Sequence, residues 1–205
     1  MTSRPVAILL LVTLFVPGGL LAQRSESSID TDRIFAALGV REGLTVCEMG
    51  AGDGNLSVAA ARLVGPGGSV YTSELGDERV KTLRGNLEGT GLAQISVVAG
   101  DPVRTNFPDG ACDALFMRNV YHHFADPALM NASIAASLKP GGRVAIVDFT
   151  PPGQEAERAA DRDEDGTHGV SADSVARELK AAGLEPVSSE SGEGRWFMVV
   201  AVKAR

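Results

Sequence analysis

The sequence predicts an α/β fold: a three-layer sandwich around a seven-stranded, mostly parallel sheet that ends in one antiparallel strand. Three observations carry this reading. From residue 32 onward short apolar runs alternate with helix-period segments, the order that builds a parallel sheet covered on both faces. The loops that carry the candidate functional residues follow strands, where such sheets bind ligands. The last two apolar runs, 184–188 and 196–202, are joined by an acidic, glycine-bearing link that reads as a hairpin and reverses one strand.

The elements follow in order. Asp30 or Thr31 caps a short helix over 32–38, closed by Gly39. Residues 45–49 form a short apolar strand that runs into Gly50, and the alanine-rich stretch 55–64 is a helix. A Gly-Pro-Gly-Gly turn leads to a second strand over 69–75 with Glu74 near its end. In 77–87, Val80, Leu83 and Leu87 share one helical face. Strands are predicted over 95–99, 113–117 and 143–149. The helix over 127–138 carries Pro127 in its first turn, and Lys139 to Gly142 is a turn before the fifth strand. A polar, charged stretch over 150–169 precedes a capped helix over 171–182.

At 205 residues the chain has one domain's worth of sequence. The net charge of −7, with no run of Lys and Arg, argues against nucleic acid as a partner. Arg4, the apolar run Val6 to Val16 and the small residue Ala22 read as a secretory signal over 1–22. Residues 23–29 read as a linker, and 30–205 as the domain. The expectation is therefore an exported protein, with an uncleaved N-terminal anchor, and so membrane proximity, as the alternative. Cys47 and Cys112 each fall at an apolar strand and read as small buried hydrophobes rather than a disulfide. The sequence leaves the oligomeric state open.

The residues Glu48-Met49-Gly50-Ala51-Gly52-Asp53-Gly54-Asn55 follow a strand and open a helix. Glycines there allow a tight turn and let a ligand approach the backbone. A dinucleotide site would place its third small residue where Asn55 stands, which disfavours a nicotinamide oxidoreductase. The alternating Gly50, Gly52 and Gly54 after an acid resemble motif I of the class I S-adenosylmethionine (SAM)-dependent methyltransferases. Glu74, Asp101 within Ala99 to Pro102, the run Ala111 to Phe116 continuing through Asn119, and Leu138 to Arg143 follow in that family's order. The resemblance covers about Ile34 to Val202. It implies a Rossmann-like fold with SAM as cofactor. It further implies that Glu48, Gly50, Gly52, Gly54 and Asn119 lie on the cofactor, with Glu74 on the ribose hydroxyls and Asp101 on the adenine amino group.

In such enzymes the reactive methyl belongs to the cofactor, and the protein aligns a nucleophile and excludes water. His122 and His123, after the fourth strand, are the candidate bases, because histidine titrates near neutral pH. Tyr121 is a candidate to orient a substrate oxygen or to cover the site. His168 reads equally as a residue of the site mouth or as support for the following helix cap. The His-His-Phe-x-Asp-Pro pattern resembles the small-molecule branch that includes quinone-ring methyltransferases, which implies a small or lipophilic acceptor. The rival reading is an exported, catalytically idle member that binds a ligand or partner. Asp161 to Gly166 matches the first half of a calcium loop, but position twelve is Ala172, so a solvated acidic loop and no metal are expected.

Overall fold

The computed structural model describes residues 30–205, so the segments read as signal and linker lie outside the described residues. The chain alternates as expected: α1 (Thr31–Leu38), β1 (Thr45–Met49), α2 (Asn55–Val64), β2 (Ser69–Glu74), α3 (Asp77–Glu88), β3 (Ile95–Ala99) and β4 (Cys112–Arg118). Then come α4 (Pro127–Ser137), β5 (Leu138–Phe149), α5 (Ala172–Ala181), β6 (Leu184–Ser191) and β7 (Trp196–Lys203). Single 3₁₀ turns at Tyr121–His123 and Ala159–Asp161 interrupt two of the connections.

Local chemistry sets the helix ends. The Asp30 carboxylate accepts from the Asp32 N–H, Asp126 from the Leu129 N–H, and Ser171 Oγ from the Ser174 N–H. Pro127 occupies the first turn of α4, where its missing N–H costs no helical hydrogen bond.

The seven strands line up as β3-β2-β1-β4-β5-β7-β6. All neighbours are parallel except β7, which runs against β5 and β6. Alternation along the central strands sends one set of side chains to each face. Val46, Ala114, Phe116, Ala145 and Val147 pack with Ile34, Phe35 and Leu38 of α1 and Leu56 and Val64 of α2. Cys47, Leu115, Met117, Val144 and Ile146 pack with Met130 and Ile134 of α4 and Val175 and Leu179 of α5. Among the described residues no helix is long and apolar enough to cross a membrane.

Two expectations are corrected. Cys47 and Cys112 are fully buried, as read, but they are joined in a disulfide, their Cα atoms 5.9 Å apart across β1 and β4. The predicted turn from Lys139 to Gly142 is absorbed into β5, where the register with β4 shifts between Cys112 and Ala114. Gly142 explains the shift: a Cβ there would meet the carbonyl oxygens of Lys139 at 2.9 Å and Cys112 at 3.1 Å, so the two backbones close together only around glycine.

Candidate active site

Strand order reverses at β1, whose two neighbours are β2 and β4. In open α/β sheets the crevice beyond the carboxyl ends of the strands at such a point is where ligands bind. The glycine loop, after β1, and Asn119 and Val120, after β4, both lie at this end of the sheet.

Gly50, Gly52 and Gly54 all have positive φ, at 67°, 55° and 83°. A Cβ on Gly50 would lie 2.3 Å from Val120 Cγ2, so the glycine lets the two segments touch. At Gly52 nothing lies within 4 Å of the Cβ position. The backbone there is open to a ligand, which is the fit the motif requires. Glu74 is 7% exposed at the end of β2. Its Oε1 accepts from the Gly52 N–H at 2.6 Å and its Oε2 from the Leu75 N–H at 3.0 Å. A carboxylate has about four acceptor positions, so capacity remains for hydroxyl donors beside the loop. Asp101 follows β3, accepts from the Val103 N–H at 2.9 Å and lies 3.6 Å from Arg104.

Glu48 is placed differently from a ligand-contacting acid. It is buried in the face beneath α2 and accepts from Ser57 Oγ, which also bonds Thr72 Oγ1 at 2.7 Å. Burial pushes its carboxyl up to about 8, against smaller downward pulls from the Ser57 hydrogen bond and from Arg118. The acid therefore anchors the base of the loop to α2 and β2.

After β4, Asn119 is exposed with φ at 60°, a conformation asparagine tolerates, and its N–H donates to Val147 O. Tyr121 does not reach the crevice. It is fully buried, and its hydroxyl donates to Glu178 Oε2 at 3.0 Å and accepts from Asn131 Nδ2 at 2.7 Å. Those bonds correct the expectation that it orients a substrate.

The two adjacent histidines separate in environment. His122 is 2% exposed, and its Nδ1 lies 2.8 Å from Asp148 Oδ1. The same carboxylate accepts from the backbone N–H groups of His122 and Phe149. Asp148 is fully buried and acceptor-only when ionised, so its contact with His122 calls for a proton on Nδ1 and turns Nε2 away from the carboxylate. That Nε2 lies 3.1 Å from Nε2 of His168, which is itself half exposed. His123 is half exposed, with Nδ1 3.2 Å from Asp163.

Sequence reasoning missed Asp148, which looks like the polar end of an apolar strand. It also missed Arg162 within the segment from Asp161 to Gly166, whose residues from Asp163 to Gly166 are exposed, as read. Arg162 is buried there, held by Glu178 at 2.5 Å and Glu155 at 3.3 Å, and this anchor turns Asp163 toward the histidines. Two further clefts, of about 380 Å³ between α4 and α5 and about 430 Å³ beside α3, are lined by neither the glycine loop nor the histidines.

Residues 22–189 match the profile of a methyltransferase domain. A ubiquinone/menaquinone biosynthesis C-methyltransferase from Pseudomonas putida is 38% identical over 119 residues, covering 56% of this chain and 45% of that protein. The match thus spans under half the length of that relative. A SAM-dependent methyltransferase from Aquifex aeolicus superposes with a TM-score of 0.73 at 22% identity, covering 84% of this chain and 89% of that one. A Haemonchus contortus phosphoethanolamine N-methyltransferase in complex with SAM superposes at 0.70 with 16% identity, covering 85% of this chain and 52% of that one. At those identities the likeness speaks to fold.

Proposed function

The chain belongs to the class I SAM-dependent methyltransferase family, and from that membership we propose that it methylates a small, lipophilic acceptor bearing an acidic hydroxyl or ring carbon, of the quinol type. The observation that carries the proposal is the crevice itself. Gly52 with an open Cβ position and the Glu74 carboxylate stand at the ends of β1 and β2, and the buried His122–Asp148 pair at the ends of β4 and β5.

SAM, when bound, supplies an activated methyl on a positively charged sulfur. The Gly50 to Gly54 backbone would hold its methionine end, Glu74 the ribose hydroxyls and Asp101 the adenine amino group. Asn119, exposed at the end of β4, would border the cofactor. His122 Nε2, its ring held by Asp148, would accept the acceptor's proton, either directly or through His168. His123 stands further out and would line the entrance. Val120 and Phe149 would help to exclude water.

The test is titration of S-adenosylhomocysteine into the purified chain, followed by transfer of labelled methyl from SAM to quinols. Micromolar binding weakened by Glu74→Ala and by Asp101→Ala supports the cofactor roles. A folded chain that binds no S-adenosylhomocysteine refutes them.

A second reading is an exported, catalytically idle family member. The Cys47–Cys112 disulfide favours export, because such bonds persist mainly in oxidising compartments, whereas SAM is made in the cytoplasm. Sequencing the mature N-terminus distinguishes a cleaved signal near Ala22 from a retained anchor. Cofactor binding without transfer to any quinol would favour the idle form.

A further inference from the structure

Three side chains from two segments distant in sequence converge near the end of β5. His122 comes from the turn after β4, and Asp163 and His168 from the stretch between β5 and α5. Each offers one donor atom, and the three donor atoms all lie within 4.8 Å of one another. His122 Nε2 and His168 Nε2 are 3.1 Å apart, and His168 Nε2 is 3.4 Å from Asp163 Oδ1. Two imidazole nitrogens facing each other at this distance share either one proton or one cation. Bonds of about 2.0–2.1 Å to a tetrahedral ion separate neighbouring donors by roughly 3.3 Å, which two edges of this triangle already approach.

The surroundings are those of a built site. Asp148 takes the other ring nitrogen of His122, the carboxylate–histidine arrangement that orients metal ligands. Phe149 packs against both rings, with centroids 4.8 Å from His122 and 5.2 Å from His168. His123 Nδ1, 3.2 Å from Asp163 Oδ1, steadies the carboxylate, and the Arg162 anchor holds the segment that carries it.

We infer that His122, His168 and Asp163 form a binding site for a divalent transition-metal ion of the zinc class. Two imidazoles and one carboxylate suit such an ion, whereas calcium and magnesium take mainly oxygen. The expectation of no metal came from the Asp161 to Gly166 spacing, and this donor set draws only Asp163 from that stretch. Three protein donors leave a coordination position open. On the methyl-transfer reading, that position would receive the acceptor's hydroxyl oxygen, and the ion, by favouring loss of the hydroxyl proton, would replace His122 as the base, which acts in that role only without metal.

The test uses tag-free, chelator-stripped protein, titrated with Zn²⁺ by calorimetry and with Co²⁺ by visible absorption. One ion per chain is expected, with the intense bands of tetrahedral Co²⁺. Asp163→Asn, an exposed change that leaves the core intact, and His168→Ala should each weaken Zn²⁺ binding at least 10-fold and abolish the Co²⁺ bands. Asp148→Asn should weaken it about 10- to 100-fold through the orientation of His122. S-adenosylhomocysteine titrated into the same samples reports on folding and on the cofactor site separately. Metal uptake without cofactor binding supports the metal site and refutes the methyltransferase reading alone. Failure to take up one ion, or uptake unchanged in the Asp163→Asn/His168→Ala double variant, overturns the site.

Discussion

Replacing Glu48 by glutamine should change how stability responds to pH. The carboxyl is 3% exposed, and burial is the main reason it is pushed from 4.5 up to about 8. Between those values the folded chain holds a proton that the unfolded chain has released. Stability is then fully present below about 4.5 and is lost as pH rises through the folded value. Each unit of difference corresponds to 1.36 kcal/mol, so the whole interval amounts to on the order of 5 kcal/mol. Glutamine keeps the shape and the acceptor for Ser57 but does not ionise. The variant should match the parent within about 1 kcal/mol at pH 5 and exceed it by several at pH 8.5. Urea unfolding of both proteins at pH 5, 6.5 and 8.5, with the disulfide intact, measures the difference. Parallel stability–pH curves would refute the reasoning, since they would mean that Glu48 binds no more protons folded than unfolded.

Three other perturbations test separate parts of the molecule. Cys47→Ser, or reduction, should cost roughly 4 kcal/mol in urea unfolding, from the entropy of opening a loop with a sequence separation of 65 residues. A loss under 1 kcal/mol would show that the bond contributes little. Gly50→Ala should weaken S-adenosylhomocysteine binding by about 10-fold or more, because the new Cβ meets Val120 Cγ2 at 2.3 Å and φ is already positive. Unchanged affinity in calorimetry would mean that the loop is not the cofactor's cradle. Arg162→Ala should destabilise the chain by about 3–5 kcal/mol, leaving Glu178 and Glu155 without their cation. A thermal midpoint within 1 °C of the parent would contradict that.

Much of the fold is legible because each element carries a local signature. Val80, Leu83 and Leu87 mark one face of α3, and Asp126-Pro127 and Ser171 mark helix starts. Gly50, Gly52 and Gly54 are equally plain, since a turn with three positive φ values in five residues needs glycine. What escaped reading depends on which strands become neighbours. The Cys47–Cys112 bond requires β4 to lie against β1, a pairing no spacing encodes. Asp148 gains its meaning only from His122, 26 residues earlier, and Arg162 only from Glu178 on the next helix. Tyr121 sits in a motif, yet its ring turns inward because Asn131 and Glu178 wait there for its hydroxyl.

The disulfide also bears on how the crevice can move. It fastens β1 to β4, the pair of strands that run into the glycine loop and into Asn119. Sliding of one strand past the other would have to stretch a covalent bond, so the floor behaves as a single rigid plate. The stretch between β5 and α5 that carries Asp163 and His168 lies outside this covalent link and is fastened separately, through Arg162.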